Sequence, residues 1–212
     1  QAVSDFVHYR DMNGKPDSVQ LDAVINYNVI ANTLPPVVKR NVRLTPGAHN
    51  IITLETPQGN LQLTQNSSSS YKNGVVALIK KNNKLIHVQP VNTTQTYLTG
   101  TYDIELLTTP RQIFENIEIR SKATETIKLP APGLVNINHN SEGYGSIYAI
   151  DKDGRQSWVF DLDHDQKRIT VALQPGTYKI VFRADKAPGS KYTAVKKINI
   201  LEGRSISINV FN

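Results

Sequence analysis

Apolar and polar positions alternate along most of this chain. Leu61-x-Leu63, Ile117-x-Ile119, Ile127-x-Leu129, Ile52-x-Leu54 and Ile206-x-Ile208-x-Val210 place apolar side chains at every second residue. Successive side chains of a strand point to opposite faces, so this period predicts strands with one buried and one wet face. No stretch sustains the i, i+3, i+4, i+7 stripe of a helix. Gln112–Ile119 follows Pro110 as a helix start would, but its alternating end predicts a strand. Turn formers break the runs. Asn13-Gly14, Asn82-Asn83 and Asp153-Gly154 mark hairpins, because Asn, Asp and Gly tolerate positive φ. Pro46-Gly47, Pro132-Gly133, Pro175-Gly176 and Pro188-Gly189 predict further turns. Many short strands without helices predict an all-β fold of small Greek-key sandwiches.

The pattern repeats. Tyr27, Tyr102 and Tyr178 stand 75 and 76 residues apart. Tyr27 leads to Pro35 and then Asn41-Val42-Arg43-Leu44; Tyr102 leads to Pro110 and then Asn116-Ile117-Glu118-Ile119 at the same spacing. The third copy runs Tyr178, Pro188, Ile198-Asn199-Ile200, with a longer loop. A fixed period of this kind signals tandem modules. The matching landmarks divide the chain into a partial β module at 1–45, the later half of a unit, and sandwich modules at 46–120 and 121–212. Residues 204–212 match Ala48–Thr56 and Ala123–Ala131, which reads as the opening strand of a further unit. The expectation is a piece of a longer protein, with a part before Gln1.

Leu98-Thr-Gly100-Thr-Tyr102 and Leu173-Gln-Pro-Gly176-Thr-Tyr178 place a tyrosine just after a glycine at the start of a strand. There the ring packs between sheets and the hydroxyl reaches upstream backbone, the corner arrangement of Greek-key sandwiches. Tyr27, Tyr102 and Tyr178 are therefore read as structural.

Composition narrows the function. A module of about 75 residues is near the lower limit for an independent core, so neighbours are expected to share packing. The chain has no cysteine, which excludes disulfides, thiol nucleophiles and thiolate metal sites. No apolar run approaches the roughly 20 residues of a membrane helix. The net charge of +6 is scattered over doublets such as Lys39-Arg40, Lys80-Lys81, Lys167-Arg168 and Lys196-Lys197. These read as solvated strand edges, without the dense basic and aromatic interleaving of a nucleic-acid groove. His8, His49, His87, His139 and His164 have no metal-ligand or catalytic spacing, and no nucleophile elbow or phosphate loop is present, so no enzyme is expected.

Two constellations remain. Asp161, Asp163 and Asp165 alternate and offer hard oxygen ligands to Ca²⁺, but Gln166 and Ala172 stand where a calcium loop needs Gly and Glu. A solvated polar loop is the simpler reading. Trp158, Tyr144 and Tyr148 offer a sugar-stacking platform, yet Trp158 alternates with Phe160, which places both rings in one core. Asn66-Ser-Ser68 and Asn92-Thr-Thr94 are formal glycosylation acceptors, and Ser67–Ser70 reads as a flexible loop.

Pro35-Pro36-Val37, Thr45-Pro46-Gly47-Ala48-His49-Asn50, Thr56-Pro57-Gln58-Gly59-Asn60-Leu61, Tyr144-Gly-Ser-Ile147-Tyr148, Trp158 and Leu173-Gln-Pro-Gly176-Thr-Tyr178 occur in this order. Together they resemble the region after the von Willebrand factor A (VWA) domain of certain VWA-containing proteins of Bacteroidetes-type bacteria. The likeness spans nearly the whole chain. The Pro-Gly-x-Tyr element alone is also similar to PEGA and prealbumin-like surface modules. The resemblance implies an accessory β-rich tail of an extracytoplasmic protein. It would space an upstream domain and contact other proteins, with a glycan-binding module as the alternative. The D-x-S-x-S adhesion motif of the VWA part does not occur here, so no metal ligand carries over.

Overall fold

The computed structural model describes residues 5–7, 9–65, 71, 74–186 and 193–211. His8, Asn66, Ser67–Ser70 and Pro188-Gly189 lie outside the described residues. The strands are β1 (Tyr27–Ala31), β2 (Val37–Val42), β3 (Gln58–Gln65), β4 (Val76–Lys81), β5 (Lys84–Pro90), β6 (Thr93–Leu98), β7 (Gly100–Leu106) and β8 (Gln112–Ile119). There follow β9 (Thr124–Leu129), β10 (Gly133–Asn138), β11 (Gly143–Ile150), β12 (Gln156–Leu162), β13 (Arg168–Leu173), β14 (Gly176–Ala184), β15 (Thr193–Ile200) and β16 (Ser205–Asn209). The fold is all-β, and Gln112–Ile119 is a strand.

By contact, the chain divides into Gln1–Asn32 with Pro36–Thr56, and Thr33–Pro35 with Pro57–Asn212. The first unit holds the antiparallel β1–β2 hairpin. The second holds two sandwiches with the same strand order. One pairs a β6-β3-β9 sheet with a β5-β4-β7-β8 sheet; the other pairs β13-β10-β16 with β12-β11-β14-β15. Apolar residues at every second position of each sheet meet in a core. Leu61, Leu63, Tyr97 and Leu129 face Ala77, Ile79, Tyr102 and Ile104 in the first sandwich. Val135, Ile137, Val171 and Leu173 face Ile147, Tyr178, Ile180 and Phe182 in the second.

The pairing corrects the expected grouping of strands. β9 runs parallel to β3, and β16 parallel to β10. Each therefore closes the sandwich that precedes it, and residues 205–209 belong to the last sandwich rather than opening another unit. The equivalent run at Ile52-x-Leu54 forms no strand, because no described strand stands beside it as β3 stands beside β9. Pro132-Gly133 is not a turn: Gly133 opens β10. Here the chain runs against the preceding corner, and a Cβ on Gly133 would sit 2.5 Å from Ile200 Cγ2 and 2.8 Å from Arg204 O. Gly59, at the same place in β3, would put a Cβ 2.0 Å from Arg120 O. Only glycine permits so close a backbone approach.

The repeat is copied down to single hydrogen bonds. Asn28 Oδ1 accepts from Asn41 N–H in the first unit, as Asp103 Oδ1 accepts from Asn116 N–H in the first sandwich. Both Asn41 (φ 55°) and Asn116 (φ 58°) occupy the left-handed region, which Asn tolerates. Asp11 Oδ1 caps the turn at Asn13 and Lys15, as Asp151 Oδ1 caps Asp153 and Arg155. The Leu34–Pro35 and Thr109–Pro110 bonds are both cis.

Candidate functional site

Trp158 departs from the expected period. Across β11 and β12, Ile147 pairs with Phe160 and Tyr148 with Trp158, so Val159 is an extra residue on one side only. Such a bulge breaks the alternation. Phe160 and Val159 both pack against the core, while Trp158 turns outward at 61% exposure. The reading that placed Trp158 in the core with Phe160 is thus overturned, and the bulge is the reason. Asp161 fixes the indole by its N–H: its Oδ1 accepts from Trp158 Nε1 at 2.8 Å and from Ser146 Oγ at 2.6 Å. These two bonds, the serine's first, hold the Asp161 carboxyl below its ordinary range.

The outward positions of this sheet form rows across its strands. Trp158 pairs with Tyr148, Tyr148 with Lys179, and Lys179 with Lys197. Lys179 Nζ lies 5.7 Å from the centroid of the Tyr148 ring. A flat ring beside a second ring, followed by two ammonium groups, joins apolar faces to positive charge along one row. Tyr144 is exposed but lies about 13 Å further along β11 at the usual strand rise. Its ring packs on His164 at 4.7 Å. Two of the three predicted platform residues therefore stand together and the third stands apart.

Trp158 and Val159 also line a cleft of about 400 Å³ with Thr108, Thr109, Pro110 and Arg111 of the first sandwich. Arg111 Nη1 meets Glu105 Oε1 at 2.7 Å, and Lys80 Nζ takes the other oxygen at 2.6 Å. Lys80 and then Arg111 lower the Glu105 carboxyl from its usual range. Behind the cleft is the joint between the sandwiches. Gln174 N–H donates to Thr109 O, Gln174 Nε2 to Tyr71 Oη, Gln112 Nε2 to Gln174 Oε1, and Thr109 N–H to Tyr71 Oη. Leu98 N–H and Leu34 O make the same main-chain bond one repeat earlier, the donor by 76 residues and the acceptor by 75. The connecting residues are held from both sides: Gln65 Nε2 donates to Pro130 O, and Ala131 N–H donates to Glu202 Oε1.

Asp161, Asp163 and Asp165 do not converge. Asp163 accepts from Gln166 Nε2, and Asp165 meets His164 Nδ1 at 2.5 Å. Among the described residues, no three His, Cys, Asp or Glu side chains gather to hold a metal ion. The tyrosines are corners. Tyr102 Oη donates to Leu98 O and Tyr178 Oη to Gln174 O, each four residues upstream. Tyr27 Oη donates to Asp22 O, five residues upstream. Burial raises the hydroxyl pKa of both Tyr102 and Tyr178. Sequence reasoning missed Tyr71, Thr109, Arg111 and Gln174. The one signal for Gln174 was that it replaces the leucine found at the same step before Tyr102.

No known protein family matches the chain, and no curated protein matches it. Among solved structures it is similar to the Bacillus anthracis TIE protein, at 13% identity over 73% of this chain and 33% of that chain, with a TM-score of 0.30. The chain thus spans about a third of that structure, and a likeness at this level carries no functional argument.

Proposed function

We propose that this chain is a non-catalytic, extracytoplasmic segment whose tandem sandwiches space an upstream domain and offer surfaces for protein contact. The joint carries this reading. A spacer must hold its modules at a set distance, and here Gln174, Tyr71 and Thr109 lock one sandwich onto the next. The short Pro130-Ala131-Pro132 link adds stiffness, since proline restricts its own backbone and that of its neighbour. The chain has no native cysteine, so spin labels at Lys128→Cys and Lys152→Cys report one distance only. A narrow distribution that broadens in Gln174→Ala is expected; a broad one in the parent chain sinks the spacer reading.

A second reading, a glycan-binding module, is favoured by one observation: Trp158 is exposed and braced by Asp161 rather than buried.

A further inference from the structure

The glycan reading leaves the kind of glycan open, and the cross-strand row narrows it. Resting on that reading, we propose that the outer face of the β12-β11-β14-β15 sheet binds an acidic polysaccharide, with sugar rings against Trp158 and Tyr148 and carboxylates against Lys179 and Lys197. Neighbouring strands are about 4.8 Å apart, so the row spans roughly 14 Å, the scale of an extended chain and not of a single small molecule. Its order is ring, ring, cation, cation. Exposed aromatic faces take the apolar C–H faces of sugars, and ammonium groups take carboxylates. Arg111 extends the positive charge to the other side of Trp158, across the cleft. Glu105 does not cancel it, because that carboxylate is shared with Lys80.

Single-stranded nucleic acid also uses rings and cations. The next row argues against it. Asp161 lies directly beside Trp158 and pairs across the sheet with Ser146. Ser146 and Asp161 together suit the several hydroxyls of a sugar ring, which a stacked base lacks.

The test is affinity electrophoresis of the full chain through gels containing polygalacturonate, the same polymer after carboxyl reduction, or oligo(dT). Polygalacturonate is expected to retard the chain and to lose its hold as salt rises. Trp158→Ala is expected to weaken retention at least tenfold. Lys179→Gln with Lys197→Gln should do the same on the acidic polymer, but change little on the reduced one. Lys84→Gln with Lys128→Gln, an equal charge change at exposed positions of the first sandwich, should leave binding within twofold. The substituted residues face outward, and far-UV circular dichroism confirms that each variant keeps its strands; Trp158→Phe replaces Trp158→Ala if that variant unfolds. Retention as strong on the reduced polymer as on polygalacturonate, with both lysines indifferent on either, removes the acidic class but keeps the glycan reading. Retention by neither polymer removes both. Equal or tighter retention by oligo(dT), or polygalacturonate binding indifferent to Trp158, overturns the proposal in favour of nucleic acid or of diffuse charge.

Discussion

The two sandwiches share a frame and differ on their surfaces. Both place a bulge at the same point, after Ile79 in β4 and after Ile147 in β11. The bulge turns Leu85 outward in one and Trp158 outward in the other, at 50% and 61% exposure. The outward row through Leu85 runs Leu85, Lys80, Asp103; the equivalent row through Trp158 runs Trp158, Tyr148, Lys179, Lys197. The inward rows stay alike because each must fill a space between two sheets about 10 Å apart. The outward rows have no such constraint. What differs between copies of one frame is where individual function is written, and here the aromatic and cationic face belongs to the second copy alone.

The largest effect should come from breaking one core at a time. Ile104 and Ile180 are both fully buried, each in its own cluster. Truncation to Ala should cost about 2–5 kcal/mol, from lost burial and the cavity left behind. Hydrogen exchange should show Ile180→Ala deprotecting β10, β11 and β14 while β3, β4 and β7 hold; Ile104→Ala should do the reverse. Equal loss in both sandwiches from either variant would make them one cooperative body and dissolve the comparison.

The joint comes next. Gln174→Leu imports the residue that the first sandwich carries at this step. The main-chain bond to Thr109 survives and Tyr71 Oη keeps the Thr109 N–H, but the Gln174–Tyr71 bond is lost and the Gln112 amide loses its acceptor. Leaving part-buried polar groups unsatisfied costs about 1–3 kcal/mol. A melting temperature unchanged from the parent would mean that water replaces the glutamine without loss.

Smaller again are the corner hydroxyls. Tyr102→Phe and Tyr178→Phe each remove one hydrogen bond to a carbonyl and should cost about 1 kcal/mol by urea melting. The Tyr27 bond lies at an exposed site, where water can take over, so Tyr27→Phe should cost less than either. A Tyr27→Phe cost matching that of Tyr178→Phe would show that the first unit is packed as tightly as the sandwiches.

These corners were legible in the sequence, and so was the all-β fold, because both are local. Alternation reports which side of a strand is buried, and the Gly-x-Tyr step reports a strand start. Partners were less legible. Ile127-x-Leu129 reads as a strand, but nothing local says that it lies parallel to β3, 64 residues back, rather than beginning the next sandwich. Trp158 was misread for the same reason. One extra residue, Val159, inverts the faces, and a bulge is visible only once the opposing strand is known. Gln174 and Tyr71 lie 103 residues apart and meet only because two sandwiches dock.

Acidity should divide the sandwiches in opposite senses, with the smallest effect of the set. Glu105, in the first, has its pKa lowered by Lys80 and then Arg111, so its contribution is present above the ordinary carboxylate value and is lost as pH falls through the lowered one. For such partly exposed pairs it amounts to less than about 1 kcal/mol. His164, in the second, is raised above its ordinary 6.5, chiefly by the hydrogen bond to Asp165 and further by Asp185 and Glu142. Its contribution is full below that ordinary value and disappears as pH rises through the raised one. Acid should therefore loosen β4–β7–β8 first, and mild alkali the turn beyond β12. An NMR titration of the His164 ring checks the second half directly. The midpoint should lie above 6.5 and fall towards it in Asp165→Asn, because the main source of the shift has gone. A midpoint at or below 6.5 in the parent chain, or one that Asp165→Asn leaves in place, would show that the carboxylate does not hold the ring and that the second sandwich lacks the opposite response to acid.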